Sequence, residues 1–193
     1  VPQSFLEPVT GFNVHRGLLA LGRRPEPAAL HSVVPPRDRP ATLLCVEGVN
    51  NMDNIGQLFR VAAAMAVSAV VLSPDCHDPL YRKSLRVSCG CVLRVPWVRA
   101  DDWHTALGEL RSQHGVALVA ATGRGARTPT EVAADVGTRV AIVVGAEFAG
   151  LSERTIALAD HAVRIPMAAG VDSLNVAAAA AVLLDHLSVG QRV

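Results

Sequence analysis

The chain has 193 residues, half of them hydrophobic, which suffices for one core-bearing domain or one domain with an appendage. Eighteen basic against seventeen acidic side chains leave a net charge of +1. That balance neither requires nor excludes a nucleic-acid partner, because near-neutrality overall can hide a basic face.

Residues 1–40 hold seven of the twelve prolines and five arginines (Arg16, Arg23, Arg24, Arg37, Arg39). The stretch RRPEPAALHSVVPPRDRP is expected to be extended and linker-like, since proline removes donors and pushes its predecessor out of helical space. GFNVHRGLLAL, just before it, reads as more ordered. From Ala41 onward the pattern alternates. TLLCVEG is a continuous apolar run, as in a strand covered on both faces. NIGQLFRVAAAMAV follows as a helix with Asn54 as its cap and Ile55, Leu58, Phe59, Ala62 and Ala66 on one stripe. AVVLS is a strand, DPLYRKSLRVS a short helix, VLRVP a short strand and ADDWHTALGELRSQHG an amphipathic helix. VALVAAT and RVAIVVGAE are buried strands, LSERTIALA a helix, HAVRIP a strand and residues 173–187 the last helix. Strands alternating with helices predict an α/β fold, a mostly parallel sheet with helices on both faces.

No apolar run is long enough to span a bilayer and no secretory leader is visible, so a cytoplasmic protein is expected, with no membrane partner. The four cysteines (Cys45, Cys76, Cys89, Cys91) form no C-x-x-C pair. They read as reduced, mostly buried thiols and not as a metal site.

Parallel α/β sheets take ligands at the carboxyl ends of their strands. Three strand ends here carry polar residues that packing does not explain. EGVNNMDNIGQLFR offers Asn54, Gly56 and Arg60, the last lying off the apolar stripe at about 140° from Ile55. VVGAEFAGLSE runs a buried strand into Gly145, the lone acid Glu147 and a second turn glycine, Gly150. RIPMAAGVDSLN crowds Asp172, Ser173 and Asn175 before the last helix, where one N-cap, Asp172 or Ser173, explains one polar residue and not three. There is no nucleophile elbow, no Walker loop and no G-x-G-x-x-G in the first strand–helix turn. The Gly-x-Gly of TGRGARTP reads as a flexible loop.

Taken in order, NIGQLFRVA, VVGAEFAGLS and IPMAAGVDSLNVAAAAAVLL resemble the three motifs of the SpoU/TrmH family of RNA ribose 2′-O-methyltransferases, within the SPOUT class. The resemblance covers about residues 41–190. It implies residues 41–193 as a SPOUT methyltransferase domain with a C-terminal trefoil knot, a homodimer, and S-adenosylmethionine as cofactor. It carries cofactor binding onto Gly145, Ile165, Met167, Leu174 and Ala121, and catalytic work onto Asn54, Arg60, Glu147, Ser173 and Asn175. The chain departs from the pattern at Met52-Asp53, at Phe148-Ala149 and at Ala177. GFNVHRGLLALGRRP resembles the junction after a small N-terminal substrate-binding domain, making residues 1–40 a linker and the remnant of that region.

A ribose 2′-hydroxyl is a very weak acid, so it must be oriented and its developing charge stabilised. A guanidinium stays protonated, which favours Arg60 as electrostatic stabiliser over base; in a dimer it can serve the partner's site. Arg82, Lys83, Arg86, Arg94 and Arg99, with no acid between them, are the expected contact surface for RNA, tRNA or rRNA. Methylation of a base, or a non-catalytic RNA-binding module on the same scaffold, are the alternatives.

Overall fold

The computed structural model describes residues 5, 8, 10, 11 and 20–188; most of GFNVHRGLLAL lies outside the described residues. Its six strands are β1 (Ala41–Glu47), β2 (Ala69–Leu72), β3 (Trp97–Arg99), β4 (Ala117–Ala121), β5 (Arg139–Gly145) and β6 (His161–Val163). They form one sheet in the order β3-β2-β1-β5-β4-β6, and every neighbouring pair is parallel. The helices are α1 (Leu30–Val33), α2 (Met52–Ala64), α3 (Arg82–Val87), α4 (Trp103–Ser112), α5 (Pro129–Val132), α6 (Glu153–Leu158) and α7 (Val176–Leu187).

The strands read as unbroken apolar runs because both faces of the sheet are covered. Alternate residues Leu44, Val46, Val70, Leu72, Ile142 and Val144 pack with Ile55, Leu58 and Phe59 of α2 and with Leu183 and Leu184 of α7. Their neighbours Leu43, Cys45, Val71, Ala141 and Val143 pack with Trp103, Leu107 and Leu110 of α4 on the other face. The chain winds outward from β1 to β3 at one edge and then crosses to β4. β5 returns to insert between β1 and β4. Crevices at such reversals of winding, outside the carboxyl ends of the strands, are where α/β sheets bind ligands.

Four local expectations are corrected. The cap of α2 is Asn51, not Asn54: Asn51 Oδ1 accepts the backbone N–H groups of Asp53 (2.8 Å) and Asn54 (3.2 Å). Ala66 lies beyond the helix and off the buried stripe. It takes a left-handed φ of 52°, and the Val67 N–H closes on the Ala62 carbonyl at 2.9 Å to end α2. VLRVP is not a strand, because left-handed turns at Cys89 (φ 54°) and Gly90 (φ 79°) feed a 3₁₀ turn at Cys91–Leu93. Pairing with β2 begins only at Trp97. The last helix starts at Val176 and not at Ser173, because the first amide to find a side-chain cap is that of Ala177, bonded to Asn175.

The proline-rich stretch has no regular element over residues 20–29, and α1 is a single turn. Arg139 anchors the segment between α1 and β1. Its guanidinium donates to the carbonyls of Pro35 (2.9 Å), Pro36 (2.8 Å) and Arg39, and its Nε to that of His114 (3.0 Å). Burial lowers its pKa. No helix among the described residues is long and apolar enough to cross a membrane, and no group of three His, Cys, Asp or Glu side chains there is placed to hold a metal.

Two measurements test this packing. A Cβ at Gly56 would lie 2.7 Å from the Val87 Cβ and 2.8 Å from the Ser84 carbonyl oxygen, so α2 and α3 touch through that glycine. Gly56→Ala is expected to lower the urea midpoint by the equivalent of about 1–3 kcal/mol. Gly108→Ala, where nothing lies within 4 Å of the new methyl, is expected to raise it by about 0.5–1 kcal/mol. Cys45 is fully buried and its thiol pKa is pushed up to about 12; burial also raises that of Cys76. At pH 8 a thiol reagent is expected to modify exposed Cys89 at once and half-buried Cys91 more slowly. Cys45 and Cys76 are expected to react only in denaturant.

Candidate active site

The loops that leave β4, β5 and β6 enclose a cleft of about 580 Å³, within the range of small-ligand sites. The loop after β5 is a tight turn. Gly150, at φ 66°, donates its N–H to the Ala146 carbonyl at 2.8 Å. A Cβ on Gly145 would sit 2.3 Å from the Gly150 carbonyl, so no larger residue fits there without the turn opening. Glu47, at the end of β1, holds the turn from the other side: its Oε2 accepts the Ser152 N–H at 3.2 Å. Ser152 in turn caps α6 through the Thr155 N–H.

The loop after β4, which its glycines predict to be flexible, is instead pinned at several points. Thr122 N–H donates to the Val163 carbonyl (2.9 Å), Gly125 N–H to Thr122 (3.0 Å) and Arg164 N–H to Arg127 (2.9 Å). Gly125 is buried against the Val163 backbone, with no room for a Cβ.

Three of the predicted residues meet. Asn54 is buried on α2, Glu147 stands on the β5 turn and Asn175 caps α7. Asn175 Oδ1 accepts the Ala177 N–H at 2.9 Å, while its Nδ2 donates to Asn54 Oδ1 at 2.9 Å and to Glu147 Oε1 at 3.5 Å. Asn54 Nδ2 closes the triangle on Glu147 Oε2 at 3.3 Å. Because Asn51 caps α2, the Asn54 side chain is free to form these bonds. Glu147 thus accepts from two side-chain amides.

Ala121, Gly145, Ile165, Met167, Ser173 and Leu174 all line the cleft, Ser173 from an exposed stretch before α7. Arg60 does not line it. It is exposed on α2, six residues or about 9 Å along the axis from Asn54. The basic stretch divides. Arg82, Lys83, Arg86 and Arg94 are exposed, but Lys83 is paired with Asp53 at 2.6 Å. Arg99 is consumed by the backbone, donating to the carbonyls of Pro74 (2.9 Å), Cys76 (2.6 Å) and His77 (3.2 Å). Two residues of the site have little signature in the sequence. Glu47 is signalled only by an acid ending an apolar strand, and Arg124, on the β4 loop, only by its place between two glycines.

A parallel α/β domain with a polar triangle beside a ligand-sized cleft at its strand ends is the arrangement in which such sheets bind small ligands. Residues 41–185 match the SpoU rRNA Methylase family, and the chain belongs to it. It is 46% identical over 176 residues to an uncharacterized tRNA/rRNA methyltransferase of Mycobacterium bovis, covering 90% of this chain and 59% of that protein. The chain therefore spans about three fifths of the length of that relative. It is 32% identical over 180 residues to the 23S rRNA (guanosine-2′-O-)-methyltransferase RlmB of Pasteurella multocida, covering 90% of this chain and 71% of that one. Among solved structures it resembles the SpoU methyltransferase AviRb of Streptomyces viridochromogenes in complex with the cofactor AdoMet. The TM-score is 0.73 and the identity 26%, over 81% of this chain and 59% of that one.

The double duty of Asn175 can be separated. Asn175→Ala is expected to lose about 1 kcal/mol of stability with the cap, and Asn175→Ser to retain it, because serine caps as well as asparagine. Thermal unfolding of both variants checks this. Equal destabilisation by both would show that the triangle, not the cap, holds α7.

Proposed function

We propose that this chain carries the catalytic domain of an RNA ribose 2′-O-methyltransferase that uses S-adenosylmethionine and acts on structured tRNA or rRNA in the cytoplasm. The observation that carries the reading is the Asn54–Glu147–Asn175 triangle at the edge of a ligand-sized cleft. The cleft suits the cofactor in chemistry as well as size. Ala121, Ile165, Met167 and Leu174 offer apolar surface for an adenosine, Gly145 allows close approach to backbone, and side chains of both signs face a zwitterionic tail. When bound, the cofactor supplies a methyl group on a positively charged sulfur, already activated for transfer.

What the protein must add is control of the hydroxyl. Asn54 uses one amide hydrogen on Glu147 and keeps the second for a ribose oxygen. Ser173 stands at the same cleft edge to orient the sugar. Arg60, through its guanidinium, stabilises negative charge developing on the 2′-oxygen. Since Arg60 stands outside its own chain's cleft, we infer that it completes the site of a second copy. The outer side of α7 offers an apolar surface for that homodimer, with Ala178 exposed and Ala181 and Val182 half-buried. Arg82, Arg86 and Arg94 present positive charge for RNA phosphates, with Lys83 joining once it leaves Asp53. The proposal includes the family's trefoil knot in the C-terminal segment, residues 41–193 as the methyltransferase domain, and residues 1–40 as linker and remnant of an N-terminal recognition region.

The test is transfer of a tritiated methyl from S-adenosylmethionine to total tRNA and rRNA, with the modified nucleotide mapped. Label at a ribose 2′-oxygen is expected; label on a base, or none, overturns the reading. Arg60→Ala and Asn54→Ala are each expected to lower the rate about 100-fold or more. Mixing the two variants is expected to restore about one quarter of wild-type activity, because half the dimers are mixed and each has one intact site. No recovery on mixing would place Arg60 in its own chain's site.

A further inference from the structure

Resting on the cofactor reading above, we propose that Arg124 receives the carboxylate of the cofactor's amino-acid end, leaving Glu153 to do so. The charged residues lining the cleft are Arg124, Arg164, Glu147 and Asp172. Glu147 is already engaged by two amides, and Asp172 can only repel an anion. Of the two cations, Arg164 is near enough to Glu131 for its charge to help hold that carboxyl below its ordinary range, after the hydrogen bonds from Thr128 and the charge of Arg127. Arg124 stands on the loop after β4, and β4 lies between β5 and β6 in the sheet, so that loop leaves the sheet between the turn that carries Glu147 and the end of β6.

The backbone beneath Arg124 is fixed. Its own N–H reaches the Thr122 hydroxyl at 3.4 Å, the next amide closes on the Thr122 carbonyl, and Gly125 is wedged against Val163. Its side chain, by contrast, is lightly held. The partner is Glu153, and both side chains are more than 70% exposed. An ion pair between such exposed groups contributes little. The guanidinium can therefore exchange one carboxylate for another while the loop stays in place. A bidentate fork matches a carboxylate in a way that, on this cleft, only its two guanidinium groups do.

Calorimetric titration of the whole protein with four compounds decides the matter. S-adenosylmethionine and S-adenosylhomocysteine carry the carboxylate; decarboxylated S-adenosylmethionine and 5′-methylthioadenosine lack it. Arg124→Ala is expected to weaken the first two about tenfold or more and to leave the last two within about twofold. Arg124→Lys, which keeps the charge without the fork, is expected to fall between. Glu153→Gln, which frees the guanidinium, is expected to tighten the carboxylate-bearing pair by up to about fivefold. Equal weakening of all four compounds in Arg124→Ala would make Arg124 a loop-structuring residue and overturn the proposal. So would unchanged affinity for all four with weakened RNA binding. Wild-type protein that binds none of the four overturns the cofactor reading itself, a result distinct from either.

Discussion

The Asn175 side chain is where the fold and the site become one object. Its oxygen caps α7 and its nitrogen reaches Asn54 and Glu147. The direction of the hydrogen bonds narrows the choice of residue type. Asp or Ser would cap the helix as well, but an aspartate has no donor for Asn54 and would oppose Glu147 with a like charge. At position 54 the side chain must accept from Asn175 while donating to Glu147, which the two ends of the Asn54 amide do. The chain of donors runs from the α7 backbone through two amides to one carboxylate, so each bond polarises the next. The carboxylate also stands beside the first turns of two long helices, where the helix dipole favours negative charge.

That arrangement needs three chain segments far apart in sequence to stay within hydrogen-bond reach, and glycines make this possible. Gly56 lets α2 lie directly on α3, fixing the helix that carries Asn54. Gly145 and Gly150 close the turn that carries Glu147, and Gly125 lets the β4 loop lie on the end of β6. At Gly56, Gly125 and Gly145 the obstacle to a side chain is neighbouring backbone or a packed Val, not an unusual φ. The requirement is one of space, and it explains why polar residues on flexible-looking loops end up firmly placed.

Much of this was legible in the chain. Unbroken apolar strands, the helix stripe of Ile55, Leu58, Phe59 and Ala62, and polar clusters at three strand ends come from periodicity and from where parallel sheets take ligands. The features that were not legible have a common cause: the choice between chemically equivalent caps is made by tertiary contacts. Asn51 and Asn54 are both competent N-caps, and so are Asp172, Ser173 and Asn175. On α2 the cap falls to Asn51, which leaves Asn54 to reach other elements, whereas on α7 Asn175 caps the helix and reaches across as well. VLRVP has strand-like composition, but two left-handed residues before it turn the chain before pairing can begin. Glu47, Arg99 and Arg139 are charged residues whose partners are backbone groups more than 20 positions away, with no pattern at short range.

The fate of the basic residues shows why charge counting alone could not locate the working surface. Arg99 and Arg139 serve as structural ties, each multiply bonded to carbonyls, and cannot serve a partner. Arg24, Lys83, Arg111, Arg124 and Arg127 stand in exposed or half-exposed ion pairs. Those pairs are weak in water and can be exchanged for a stronger anion, whereas a guanidinium wrapped in carbonyls cannot leave without exposing several orphaned acceptors. The paired cations that remain available to an anionic partner are therefore those held loosely, in exposed or half-exposed ion pairs. A near-neutral chain can still present a directed positive surface, because its acids are distributed as replaceable partners and not as buried counter-charges.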